Sequence, residues 1–393
     1  IIDCQQLGRA FYFGSGETSN SILEGFTIQN GKVSDGGGAI LCENNSSPTI
    51  INCTFSYNSA SSGGGAILCS DHSSLTLNNC TFSNNTATGI DSKGGAIYCD
   101  GSSPSITNCT FSGNSATGGG EGGAICCINS SSPTVTNCIF SGNTANYDGG
   151  AIYCYQSSPS ITNCTFSDNS ADHYGGAIRC YNSSSPTVTN CIFGGNSADA
   201  GGAVYCYQSS PRITNCIFSD NSADNYGGAM HCHQSSPTLT NCTFSDNSAA
   251  DGGAIYCKRY SSPTLNNCIL WGNSASSGGN EIYIHDSTTS CTLNYCCVDN
   301  TGYGGSTGNI DDTNDCIHDD PQFADPAGGD YHLKGSSPCI DAGNNSYVPS
   351  SVTTDLDGRK RIMDGDNDGT ATVDIGAYEY QLRITTAYLP DAT

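Results

Sequence analysis

One unit is written into this chain again and again, and a repeat of this length constrains the fold more than any other feature. Gly-Gly-Ala recurs at Gly37, Gly64, Gly94, Gly122, Gly149, Gly175, Gly201, Gly227 and Gly252, at spacings of 25–30 residues that settle near 26. A degraded copy, GGNEIYI, begins at Gly278. Between these marks Phe-x-x-Asn returns from Phe55–Asn58 to Phe244–Asn247, and LWGN at 270–273 closes the series.

Inside each unit apolar residues alternate with others, which is the period of a strand. In Ile152-Tyr153-Cys154 the outer pair is apolar in copy after copy and is predicted to face inward, whereas the variable middle position faces out. PSIT (159–162) then buries Ile161, and CTF (164–166) buries Cys164 and Phe166. An Asn separates these two runs in every unit from Asn52 to Asn267. Asn tolerates left-handed backbone geometry, so it is predicted at a corner. Three short strands and three corners in about 26 residues make one coil of an all-β solenoid. Coils stacked ~4.8 Å apart would align equivalent residues into ladders, and about eleven of them would give a rod ~50 Å long. The predicted division is a repeat domain over 1–298 and a β-rich capping module over 299–393.

Composition narrows the setting. The 393 residues carry 36 acids against 12 bases, a net charge of −24, which argues against nucleic acid and anionic membrane as partners. No stretch approaches the ~18 apolar residues of a membrane span. The chain opens at Ile1 without a signal-peptide pattern, as expected of a mature or truncated product. Twenty-five cysteines suggest an oxidising, extracellular compartment.

Each full coil holds two cysteines, 10 or 11 residues apart: Cys42/Cys53, Cys69/Cys80, Cys99/Cys109, Cys127/Cys138, Cys154/Cys164, Cys180/Cys191, Cys206/Cys216, Cys232/Cys242 and Cys257/Cys268. In the first coil Phe13 takes the first place and Gly25 the second, so both cysteines are replaced together and a large residue faces a small one. That joint replacement favours a cross-core disulfide within each coil, contributing ~2–4 kcal/mol. Two ladders of free or inter-coil cysteines are the alternative, because ~4.8 Å stacking also fits disulfide geometry. Cys4, Cys126, Cys291, Cys296, Cys297, Cys316 and Cys339 receive no assigned partner.

The GGA[I/V] and FxxN signatures resemble the repeats of the chlamydial polymorphic membrane proteins and related right-handed parallel β-helix proteins. That resemblance implies a right-handed parallel β-helix and a surface-exposed adhesin. DPQFADPAGGDYHLKGSSPCIDAG (320–343) and DLDGRKRIMDGDNDGTATVDIGAYEY (355–380) resemble the choice-of-anchor module behind many secreted bacterial β-helix proteins. It implies secretion and display, and no reaction.

Three constellations are candidates for chemistry. DGDNDG (364–369) sets Asp364, Asp366 and Asp368 at alternate positions before a Gly turn, the first half of an EF-hand-like calcium loop. Thr370 and Asp374 would complete a structural calcium site; the bland alternative is an acidic solvated turn. Tyr98, Tyr153, Tyr155, Tyr181, Tyr205, Tyr207, Tyr256 and Tyr283 flank the first cysteines, with Arg179, His231, His233 and Lys258 among them. Stacking would gather them into an exposed aromatic strip suited to sugar rings or a partner surface, unless outward tyrosines merely favour β structure. The same four basic residues form the one cluster resembling a β-elimination site, and His231-x-His233 lacks a third metal ligand in sequence. Asn-Cys-Thr, as at Asn163, matches a glycosylation acceptor but is assigned to the corners.

The resulting expectation is an extracellular, non-enzymatic rod for adhesion, display or self-assembly, with RITTAYL (383–389) as a strand that could join another chain. Its partners would be copies of itself, surface glycans or host cell-surface proteins. A polysaccharide-binding or polysaccharide-cleaving β-helix is the alternative.

Overall fold

The computed structural model describes residues 1–381; RITTAYL lies outside them. Three parallel sheets of 12 strands each run the length of a β-helix, and each strand pairs with its counterpart one coil earlier and one coil later. The first sheet holds the Ile-x-Cys strands, from Phe11–Phe13 to Tyr303–Gly305; the second the PSIT-type strands, from Ile22–Glu24 to Ile310–Asn314; the third the Phe strands, from Ile2–Asp3 to Cys297–Val298. A fourth parallel sheet of 10 short strands, from Lys32–Val33 to Ser274–Gly278, follows each Phe-x-x-Asn. The coil therefore has four sides where three were predicted. Ser170–Ala171 shows why the fourth escapes detection: with two residues and one inward Ala it is too short to display an alternation.

Register is strict. Phe55, Phe82, Phe111, Phe140, Phe166, Phe193, Phe218 and Phe244 stack face over face, with centroids 4.6–4.8 Å apart. Each is fully buried, which at ~25 cal/mol per Å² makes this column a principal source of stability. The corner asparagines adopt the predicted left-handed geometry, as at Asn163 with φ 53°. Gly149 also needs a positive φ, 68°. Its neighbour Gly150 is required for another reason: a Cβ there would lie 2.1 Å from the Gly176 carbonyl oxygen of the next coil.

The Asn of Phe-x-x-Asn is buried and forms a second, inner ladder. Asn169 accepts at Oδ1 from the backbone N–H (3.1 Å) and Nδ2 (2.9 Å) of Asn143. It donates from Nδ2 to the Phe140 carbonyl (3.0 Å) and to Asn196 Oδ1 (2.9 Å). The pattern repeats from Asn58 to Asn273. There the carboxylate of Glu281, 1% exposed, replaces the next Asn and accepts from both Asn273 nitrogens. Burial raises the Glu281 carboxyl to about 7.

The cysteines take up the two-ladder arrangement that stood as the alternative to within-coil bridges. All 25 are free thiols, and the within-coil bridge is not formed. Cys42, Cys69, Cys99, Cys127, Cys154, Cys180, Cys206, Cys232 and Cys257 instead occupy one register column. The corner cysteines form another, in which the backbone N–H of one donates to the sulfur of the next, as Cys164 N to Cys191 Sγ at 3.4 Å. Parallel in-register stacking sets like residues side by side along the axis, so within these two columns each thiol has thiols as its register neighbours.

The predicted boundary at 299 falls inside the solenoid, which continues through Asn314. The following segment lies along the flank of the Phe sheet instead of covering an end. The outward column of that sheet becomes Ile217, Thr243, Ile269 and Cys297, all buried, whereas Ile139 and Ile192 on earlier coils remain 47% and 36% exposed. Gly376 N donates to Asn267 O (2.9 Å), Ala377 N to Thr243 Oγ1 (3.1 Å) and Asn215 Nδ2 to Thr354 O (2.7 Å). Arg361, fully buried, ties the segment internally by donating to the carbonyls of Asp374 and Gly376 and pairing with Glu379 at 3.3 Å.

Candidate functional site

The outward face of the Ile-x-Cys sheet carries two parallel columns. The inner one runs Tyr98, Cys126, Tyr153, Arg179, Tyr205, His231, Tyr256, Tyr283. The outer one, just past the cysteines, runs Tyr155, Tyr181, Tyr207, His233, Lys258. All eight predicted tyrosines are therefore gathered on one face. Their exposure differs from expectation, because Tyr153, Tyr205 and Tyr256 are buried. The cover comes from the residues before Gly-Gly: Tyr174 packs 4.5 Å from the Tyr205 ring, and Tyr226 packs 4.7 Å from Tyr256.

Arg179 is the centre of this layer. Its guanidinium lies 4.0 Å from the Tyr205 ring, 4.8 Å from Tyr174 and 5.1 Å from Tyr181, and pairs with Asp148 at 3.2 Å. Burial raises the Asp148 carboxyl to about 6, with Arg179 opposing. An arginine so enclosed braces the face and is not free to polarise a substrate carboxylate. Neither ring nitrogen of His231 has a partner among the described residues, and burial, then Lys258, holds this histidine well below its ordinary value. The same causes lower His233 to about 4, while Tyr205 Oη meets its Nδ1 at 3.3 Å. Both are neutral at pH 7. The four basic residues thus sit together but in a packed arrangement, which does not align them as an elimination site.

In the outer column Tyr155, Tyr181, Tyr207 and Lys258 are half-buried, and His233 is buried between them. Its rings follow one another at 5.6, 5.3 and 4.7 Å from Tyr155 through Tyr181 and Tyr207 to His233. This is a graded aromatic surface with hydroxyl tips and one ammonium, Lys258, at its end.

The acidic loop is rearranged relative to the sequence reading. Asp341, Asp364 and Asp366 bring one oxygen each within 4.8 Å of one another. Asp368 N bonds to Asp364 and Asp366, and Asp368 itself accepts from Thr370 N. Asp374 is buried and accepts from the N–H groups of Asp341 and Tyr380. Asp341 was missed because it stands 23 residues upstream of Asp364.

The fold and this flank define a parallel β-solenoid with one aromatic-rich side and one side covered by its own C-terminal segment. The family described as right-handed beta helix region matches residues 8–119, 38–214, 95–250 and 176–340, and the chain belongs to that family. No curated protein and no solved structure matches the chain.

Proposed function

We propose that this chain is an extracellular, non-enzymatic rod whose aromatic flank binds a glycan or a cell-surface protein in display or adhesion. The observation that carries the reading is the column of half-buried Tyr155, Tyr181, Tyr207 and Lys258 around buried His233, held in register on a scaffold of continuous ladders. Flat rings with polar tips suit sugar faces and partner surfaces. The enclosed Arg179 favours recognition over elimination chemistry. The resemblance to polymorphic-membrane-protein repeats and to an anchor-like module supports secretion and display, and the cysteine content supports an oxidising compartment. Calcium held by Asp341, Asp364 and Asp366 would brace the flank-bound segment, and self-association would extend the rod into filaments.

Titration calorimetry against neutral and uronate-containing oligosaccharides, together with cell-binding assays, tests this. Wild-type protein is expected to bind at least one of these surfaces, and Tyr181→Ala to weaken that binding at least tenfold without changing the circular dichroism spectrum. Binding unaffected by Tyr181→Ala would overturn the assignment of the column. Release of unsaturated uronate products, followed by absorbance, would replace it with the polysaccharide-cleaving alternative.

A further inference from the structure

Cys297 stands apart from both thiol ladders. On the outward face of the Phe sheet its register neighbours are Ile269 on one side and Ile317 on the other, so no thiol lies above or below it. The equivalent position on earlier coils is Thr or Ile, as at Thr165, Ile192, Ile217 and Thr243. Cys339 reaches this one rung from the flank-bound segment. The two are completely buried in one apolar cluster with Phe323, Tyr331, Leu333 and Ile375, where Cys297 Sγ donates to the Asp319 carbonyl (3.3 Å) and Cys339 is the group that acts most strongly on the Cys297 thiol. Cys339 is anchored there because its N–H donates to Ser337 Oγ (3.1 Å) and its carbonyl accepts from Ile375 N (3.0 Å). A ladder thiol is shared between two neighbours; these two have each other.

We propose that Cys297 and Cys339 are an oxidation site that staples the C-terminal segment covalently to the side of the solenoid. The oxidant is a small-molecule disulfide. One thiolate attacks it to give a mixed disulfide and releases one thiol; the second thiolate then displaces the other. The S–S bond forms between Cys297 and Cys339, two electrons pass to the small disulfide, and the two protons leave with its two thiols. The contact with Cys339, then burial, holds the Cys297 thiol far above its ordinary range. The reaction therefore belongs to folding, before the segment closes, and the finished bond is shielded from exchange.

Lys334 offers a direct test, because it is exposed and Cys339 is the only cysteine on its C-terminal side. The full chain is folded in a glutathione/glutathione-disulfide buffer, alkylated at low pH and nicked briefly with trypsin. The fragment beginning at Gly335 is expected to remain attached on a non-reducing gel and to separate on reduction. Cys297→Ser is expected to release it without reductant, and non-reducing peptide mapping of wild type to find Cys297 joined to Cys339. Release from oxidised wild type, retention in Cys297→Ser, or a map joining Cys339 to another cysteine would each overturn the proposal.

Discussion

Replacing Asn169 by Ala tests whether the inner Asn ladder, more than the apolar core alone, holds the coils in register. The substitution removes four hydrogen bonds: two accepted from Asn143 and two donated, to Phe140 O and Asn196 Oδ1. Not all the losses are equal. Asn143 Nδ2 keeps its bond to Phe111 O, and Asn196 Oδ1 still accepts from the residue-169 backbone N–H. The Asn143 backbone N–H is left buried without its acceptor. At ~0.5–1.5 kcal/mol for each net bond, and ~1–3 kcal/mol for a stranded donor, the expected cost is ~3–5 kcal/mol. The comparison is Asn163→Gly at an exposed corner, where glycine keeps the positive φ and one side-chain bond, to Asn137, is lost; about 1 kcal/mol or less is expected there. Urea titration followed by far-UV circular dichroism measures both. If Asn169→Ala unfolds at the same urea concentration as Asn163→Gly, the ladder is not what fixes the register.

Three further outcomes follow from the geometry. The Glu281 carboxyl sits near 4.5 in an unfolded chain and about 7 in the folded one, so its contribution is complete below ~4.5 and is lost as pH rises through ~7. Glu281→Gln, measured by thermal unfolding between pH 4.5 and 8, is expected to flatten that dependence by up to ~3 kcal/mol and to be more stable than wild type at pH 8. Gly150→Ala would force a Cβ against the Gly176 and Ser170 carbonyls, costing ~3 kcal/mol. Gly142→Asn, at a left-handed position with open space where other coils carry Asn84 or Asp168, is expected to be neutral by the same assay.

The repeated elements were legible because each rests on local rules. Alternation assigned Ile152, Cys154, Ile161 and Phe166 to the interior, and all are buried; Asn163 was placed at a corner by its tolerance of left-handed geometry. The thiol arrangement was left open between two readings for a definite reason. Alternation says that Cys154 and Cys164 face inward, but the nearest sulfur is decided by the coil-to-coil spacing and the register, which local pattern leaves open. The aromatic flank was half legible. Outward direction was read as exposure, yet Tyr174 and Tyr226, placed just before Gly-Gly, fold over the inner column. The docking of the C-terminal segment is a contact between distant parts of the chain. Thr and Ile alternate along the outward column on bare and covered coils alike, with Ile139 and Ile192 exposed and Thr243 buried, so its one trace in sequence is Cys297.

The inner Asn ladder also has a direction. From rung to rung the backbone N–H and one amide N–H point forward to the next Asn oxygen, while the second amide N–H reaches back to a Phe carbonyl, so the Asn-to-Asn bonds keep one sense from Asn58 to Asn273. Glu281 receives those donors and has no amide to pass on. It works as a full stop in a periodic text, and one whose legibility depends on acidity. A chain lengthened by duplicating units could grow anywhere upstream of it, whereas a unit spliced in just after it would meet a carboxylate where the lattice calls for an amide.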